Sequence, residues 1–116
     1  MKISKELSKG STALLILSVI DRQDMYGYQI AREIERLSDD VFSLGEGTLY
    51  PILHALSEEG YLTSYTEERE GGRLRKYYRM TDKGRRELQR RHREWEVYTN
   101  AVERVIGGAG HVLAGV

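Results

Sequence analysis

A chain of 116 residues, 40% hydrophobic and 31% charged, has room for one domain around one core, plus one projecting element. The absence of cysteine excludes disulfides, thiolate metal sites and thiol catalysis, and the longest apolar stretch, Ala13 to Ile20 with Ser18 inside it, is too short to cross a bilayer. No apolar region of the signal-peptide kind follows Lys2 and Lys5, so a cytoplasmic location is expected, and a net charge of zero says little about partners until the charges are located.

Leu14, Ile16, Leu17 and Ile20 recur at helical spacing and predict a first, largely buried helix from Ser11 to Ile20, with Ser8 or Ser11 as its cap. After the polar turn Asp21–Asp24, a second helix is expected from Tyr26 to Leu37, with Ile30, Ile34 and Leu37 on one stripe. Gly27 near its start permits close packing. Ser38 to Gly47 reads as a connection rich in turn residues. A third helix is expected from Thr48 to Glu59, with an apolar stripe at Leu49, Ile52, Leu53 and Leu56 and a stop at Gly60. Pro51 falls in the first turn of that helix, where a missing N–H costs little. The opposite face carries Gly47, Thr48, Tyr50 and His54, small and polar with one aromatic, and is the face expected to enter a groove.

Two runs rich in Tyr and Thr, Tyr61–Thr66 and Lys76–Met80, read as the strands of a hairpin whose long charged tip, Glu67 to Arg75, contains Gly71-Gly72. Tyr77 and Tyr78 alternate, so one is expected to face the core and the other to face away. Thr81-Asp82 then caps a last helix, expected to run to Ile106 and to be about 37 Å long at 1.5 Å per residue. Leu88, His92, Trp95, Thr99, Val102 and Ile106 are spaced 4, 3, 4, 3 and 4 apart along it, the seam of a helix pair. The domain already has three helices and a hairpin for its own core, so the seam is assigned to a second copy of the chain.

The fold class that follows is mainly α with a β-hairpin wing. Residues 1–80 form a winged helix-turn-helix domain, 81–106 a C-terminal dimerisation helix, and 107–116 a flexible glycine-rich tail. In that layout the third helix reads the major groove and the wing touches the backbone. The charge distribution agrees: between Arg73 and Arg93 stand ten bases and two acids, Asp82 and Glu87, and Arg73, Arg75 and Lys76 on the wing are suited to phosphates. Glu67, Glu68 and Glu70 on the other flank oppose them. Much of the basic run lies on the last helix, where intersubunit salt bridges are the competing use.

An enzyme is not expected. His54, His92 and His111 lack a metal-ligand spacing, Gly45-Glu46-Gly47 is too short for a phosphate loop, and the pairs Glu58-Glu59 and Glu67-Glu68 lie in polar surroundings. No cofactor and no metal is implied. The other class to weigh is a winged-helix protein-interaction module without specific DNA binding, since fold alone does not decide function. Such a module has no need of the wing bases or of the small start at Gly47 and Thr48.

Several segments together resemble the PadR family of bacterial transcriptional regulators across nearly the whole chain. They are Tyr26-Gly27-Tyr28-Gln29-Ile30, Gly47-Thr48-Leu49-Tyr50-Pro51-Ile52-Leu53, Leu56 with Gly60-Tyr61-Leu62, and Arg75-Lys76-Tyr77-Tyr78 with Thr81, Lys83 and Gly84. The single C-terminal helix is similar to the small subgroup. The resemblance implies a homodimeric repressor on a pseudo-palindromic operator in double-stranded DNA, with Thr48 and Tyr50 facing DNA and the basic wing residue at Arg75 or Lys76. Tyr26 and Tyr28 are either phosphate contacts or packing residues with wet tips, and His54, one turn beyond Tyr50, is a further candidate contact. In some family members a tryptophan of the last helix stacks on a flat aromatic effector. Trp95, with Tyr98 and Thr99 beside it, is placed for that role or for a purely apolar dimer anchor.

Overall fold

The structure, a computed structural model, describes residues 10–115, with side chains described through residue 107. Ser8, one of the two expected caps, and Val116 of the tail lie outside the described residues. The elements in order are α1 (Thr12–Arg22), β1 (Met25–Tyr26), α2 (Gly27–Leu37), α3 (Glu46–Glu58), β2 (Leu62–Arg69), a single 3₁₀ turn (Glu70–Gly72), β3 (Arg73–Met80) and α4 (Asp82–Gly115). This is the mainly helical fold with a β wing that the sequence implies. Ile16, Leu17 and Ile20 of α1, Ile30 and Ile34 of α2, and Leu49, Leu53 and Leu56 of α3 meet in one core, closed by Met25, Leu62, Tyr78 and Met80 from the sheet.

Several details of the sheet and of the first three helices differ from the sequence reading. First, the sheet has three strands, ordered β1-β3-β2. Tyr26 is paired with Tyr77 in β1 and serves as the extended residue before α2, a bridge too short to give a period-2 pattern. Second, the hairpin tip is only Glu70–Gly72, because Gly71 and Gly72 both take positive φ (82° and 74°) and turn the chain at once. The strands therefore extend through Arg69 and from Arg73. Third, α3 begins at Glu46, so Pro51 is the sixth helical residue and lies beyond the first turn. Fourth, Leu37, expected on the buried stripe of α2, ends that helix 44% exposed.

Helix α4 is set on the domain by its first two turns. The Gly84 amide donates to Thr81 Oγ1 (2.9 Å), whose single hydroxyl hydrogen is shared between the carbonyls of Gly60 (2.7 Å) and Tyr61 (3.1 Å), so one hydroxyl caps α4 and ties it to the end of α3. Leu88, expected on the intersubunit seam, packs against the domain's own core. Near it Glu87 is buried and accepts from Arg90 (2.9 Å) and Arg91 (2.6 Å). The helix continues as backbone to Gly115, beyond the expected end at Ile106. Each glycine weakens a helix, but propagation from an established helix is far easier than nucleation.

Two outcomes check this anchoring. A Cβ on Gly84 would collide with the Tyr61 carbonyl oxygen, a clash with backbone, so Gly84→Ala should lower unfolding stability by roughly 1–3 kcal/mol in urea titration. The hydrogen bond from Arg90, with the one from Arg91, outweighs burial and holds the Glu87 carboxyl at about 2. A carboxyl lowered in the folded state stabilises above its unfolded pKa, about 4.3, and loses that contribution as pH falls toward 2. Glu87→Gln should therefore melt lower at neutral pH and lose the part of the acid-induced decline that falls between those values.

Candidate nucleic-acid interface

The buried leucines of α3 leave an outer stripe of Gly47, Pro51, His54 and Glu58, at spacings 4, 3 and 4, all four exposed. Thr48 is exposed beside Gly47. The His54 side chain stands in solvent with Glu58 3.5 Å from its Nε2. Tyr50 is only partly available. A Cβ on Gly27 would lie 2.8 Å from Tyr50 Cζ and collide with its hydroxyl oxygen, so the glycine is what lets this ring lie across the start of α2. Burial, with Tyr50 close by, pushes the Tyr78 hydroxyl upward, which puts Tyr50 near β3 as well. Tyr50 is thus a tether between α3 and the α2–sheet junction, 44% exposed.

From that junction the surface continues onto the wing. The strand register pairs Tyr65 with Tyr77, Glu67 with Arg75 and Arg69 with Arg73, and period-2 alternation puts all six on the outer face. Tyr77 is stacked on Tyr65 (5.6 Å between centroids) and meets Tyr26 edge-on (5.5 Å). Both Tyr77 and Tyr78 are therefore buried, at 5% and 6% exposure, but on opposite faces: Tyr78 in the core, Tyr77 under an aromatic cover. An arginine lies over each outer ring, Arg75 on Tyr26 at 4.3 Å, Arg69 on Tyr77 at 5.0 Å and Arg79 on Tyr65 at 4.8 Å, within the range of cation–π attraction. Tyr65 also donates to Asp24 Oδ2 (2.7 Å), the acceptor of Arg79 Nε (3.1 Å), so the wing base is held to the turn after α1.

Tyr26, Gln29, Arg69, Arg73, Arg75, Tyr77, Gly71 and Glu70 line a cavity of about 600 Å³ between the wing tip and the start of α2. Gln29 Oε1 accepts from the Tyr26 amide (3.3 Å). Arg69 donates to the Tyr77 hydroxyl and lies 3.3 Å from Glu67. Three guanidinium groups against one lining carboxylate on an aromatic wall suit a phosphate oxygen. Of the expected wing bases, the structure brings Arg73 and Arg75 together with Tyr26. Lys76 is on the other face, over Tyr78 (5.6 Å). Arg69, Gln29 and Tyr77 were not among the expected residues. The shared parity of positions 69, 73, 75 and 77 across a short glycine tip is the signal that reveals Arg69 and Tyr77, whereas Gln29 is brought in by the pairing of Tyr26 with the sheet.

Four arginines of the basic run are paired within the chain. Arg79 pairs with Asp24, Arg85 with Asp21 and Asp82, Arg90 with Glu87 and Glu94, and Arg91 with Glu87. Among the described residues no ion pair is formed by Arg73, Arg75 or Lys76 on the wing, nor by Lys83, Arg86 or Arg93 on α4, and of these Arg73 and Arg75 line the wing cavity.

At the far end, α4 presents Trp95 (40% exposed), Tyr98, Val105 and Ile106 to solvent, with His92 3.9 Å from Glu96 and Val102 half-buried. Trp95 and Tyr98, 6.0 Å apart between centroids, line a cavity of about 710 Å³ with Gly10, Leu14, Arg90, Arg91 and Glu94. Thr99 turns inward and donates to the Trp95 carbonyl (2.9 Å).

Comparison with known proteins identifies the family. Residues 16–90 match the model of the transcriptional regulator PadR-like family. A transcriptional regulator of Mycobacterium tuberculosis is 32% identical over 108 residues, 92% of this chain and 94% of its own length. Among solved structures, a transcriptional regulator from Clostridium thermocellum superposes with a TM-score of 0.81 at 30% identity, covering 87% of this chain and 98% of that one. A PadR family transcriptional regulator from Eggerthella lenta gives 0.75 at 34% identity, covering 87% and 86%. The chain belongs to the PadR-like family of transcriptional regulators and is a DNA-binding regulator, not an enzyme.

Proposed function

We propose that the chain acts in the cytoplasm as a homodimeric repressor that places α3 of each subunit in one half-site of a pseudo-palindromic operator. The observation that carries this reading is the continuity of one surface: the outer stripe of α3 is joined through Tyr50 and Gly27 to Tyr26, and Tyr26 carries Arg75 at the rim of the arginine-lined wing cavity. Gly47, Thr48 and His54 are given base-edge positions. Arg73 and Arg75, joined by Arg69, take backbone phosphate, which positions the helix without reading sequence. Tyr26 supports Arg75 rather than touching phosphate by itself, and Tyr50 fixes the angle of α3. Lys76 belongs to a second, outlying phosphate contact on the other wing face.

The dimer forms through the outer half of α4, by Trp95, Val102 and Ile106 with His92 and Thr99 at its polar positions. Leu88 stays with the subunit core. An exposed stripe of this size on a long helix is an association surface on general grounds. A flat aromatic effector fits between Trp95 and Tyr98 in the cavity there, with Thr99 shaping the helix behind them. It acts by binding more tightly to a dimer whose recognition helices are wrongly spaced for DNA, because a ligand shifts an equilibrium only by its differential affinity.

Binding to DNA upstream of the chain's own gene, measured against salt, tests the reading. Wild type should bind tightly with a steep salt dependence. Arg75→Ala should reduce the slope of log K against log salt by about one per subunit, and Tyr50→Ala should relax sequence preference. Binding no better than to random DNA at physiological salt would instead favour the protein-interaction module. In parallel, Ile106→Glu should convert a dimer to a monomer in light scattering. Trp95→Ala should abolish binding of planar aromatic compounds in calorimetry, and unaltered effector affinity in the presence of operator would refute the population shift.

A further inference from the structure

The position of Pro51 within α3 leaves one backbone acceptor open on the face assigned to DNA. In an α-helix the amide of each residue bonds the carbonyl four residues back, and proline has no amide hydrogen. With the helix starting at Glu46, the carbonyl deprived of its i+4 donor is that of Gly47, inside the helix rather than before it. Gly47 and Pro51 are both exposed and lie on the outer stripe with His54, opposite the buried Leu49, Leu53 and Leu56. Gly47 contributes no side chain beside this carbonyl, and the ring of Pro51 lies against it in place of a donor. An acceptor without its helical donor therefore stands between two exposed residues at the start of the helix.

In the free protein, water satisfies such an oxygen. Once the helix enters a groove and water leaves, an acceptor without a donor becomes costly. The DNA backbone supplies no donor, because phosphate and deoxyribose oxygens within the chain only accept. Major-groove base edges supply one kind, the exocyclic amino groups at cytosine N4 and adenine N6, whereas guanine and thymine offer only acceptors or a methyl at the same edge. We propose that the Gly47 carbonyl, freed by Pro51, accepts a hydrogen bond from a cytosine or adenine amino group and so determines sequence at one base pair of each half-site. This rests on the assignment of α3 to the groove made above. It makes Gly47 and Pro51 one device: the proline withholds the donor and the glycine adds no side chain between the backbone and a base.

Replacing Pro51 by alanine returns an amide to the helix and so offers the Gly47 carbonyl its ordinary partner. The preferred site of the wild type is first selected from a random duplex pool, and Pro51→Ala is then scored for preference at every position of that site. The expected result is loss of the cytosine or adenine preference at one pair per half-site, by about fivefold, the worth of one ordinary hydrogen bond, with preference elsewhere retained. The amide that the substitution introduces at position 51 should be protected from hydrogen exchange, showing that the carbonyl has been captured. At the affected pair, purine in place of adenine, or 2-pyrimidinone in place of cytosine, removes only the amino group. That change should weaken wild type by the same factor and leave Pro51→Ala unaffected, and the sensitive base identifies which amino group is read. An unchanged preference profile in Pro51→Ala, or an introduced amide that exchanges freely, overturns the proposal while leaving α3 in the groove. Failure of the wild type to enrich any sequence overturns both.

Discussion

Strand β3 is the member on which the rest of the molecule depends, because it is covered on both faces and paired on both edges. Tyr78 and Met80 close the helical core on one side, while Tyr77 is packed between Tyr26 and Tyr65 on the other. Along its edges it pairs with β2 over the whole hairpin and with the two residues of β1. The short pairing with β1 has large consequences, since Tyr26 is at once a strand residue and the residue that opens α2. The sheet thereby sets where α2 begins, and Gly27, the next residue, sets how closely Tyr50 of α3 can approach. A chain of contacts of this sort lets a wing of few residues hold a defined position beside a helix it does not extensively touch.

The fold was legible wherever the apolar period was long. Leu49, Leu53 and Leu56, and Ile30 with Ile34, repeat at helical spacing and are buried as that spacing requires. What escaped the sequence were features decided by a few residues against three-dimensional partners. A two-residue strand has no period to detect. The ends of β2 and β3 depended on two consecutive glycines at positive φ, which shorten a tip that composition alone makes look long. The start of α3 was obscured because Gly45, Glu46 and Gly47 have poor intrinsic helix propensity as a group, and the helix is instead held by the leucines behind it. That displacement of two residues changes the meaning of Pro51. The same limit applies to the site: charge density pointed to the wing, but only the register separates Arg73 and Arg75 from Lys76 and adds Arg69.

A chain with no net charge can still present a polyanion-binding surface because its charges are sorted by neighbourhood. Arg79, Arg85, Arg90 and Arg91 are each within reach of an aspartate or glutamate of the same subunit, so much of the apparent excess in the C-terminal third serves the attachment of the wing base and of α4. Arg75 is instead held by an aromatic face. A ring fixes the guanidinium plane without neutralising it, which leaves the N–H groups at the edge available to an anion. Glu67 beside Arg69 and Glu70 at the cavity rim temper the field at short range, an arrangement that favours a positioned phosphate over indiscriminate attraction.

Helix α3 shows how far stability is subordinated to access. A proline in a helix interior costs about 3 kcal/mol relative to alanine, and glycine about 1 kcal/mol, so the segment carrying Gly47 and Pro51 is a poor helix on its own. Its order comes from tertiary burial. Leu49, Leu53 and Leu56 are each almost wholly removed from water, and full burial of such a side chain contributes about 1.5–3 kcal/mol. Three of them are of the right size to offset the local penalties. Gly60 then ends the helix at positive φ, with the Tyr61 amide donating back to the Leu56 carbonyl (3.0 Å), and Thr81 fastens that end to α4. The helix is thus secured along its inner face and at its C-terminal end, and its N-terminal outer surface is the part left bare of large side chains. That division suits the groove-facing role proposed for α3: a rigid rear, and a front where backbone can come close to a base edge.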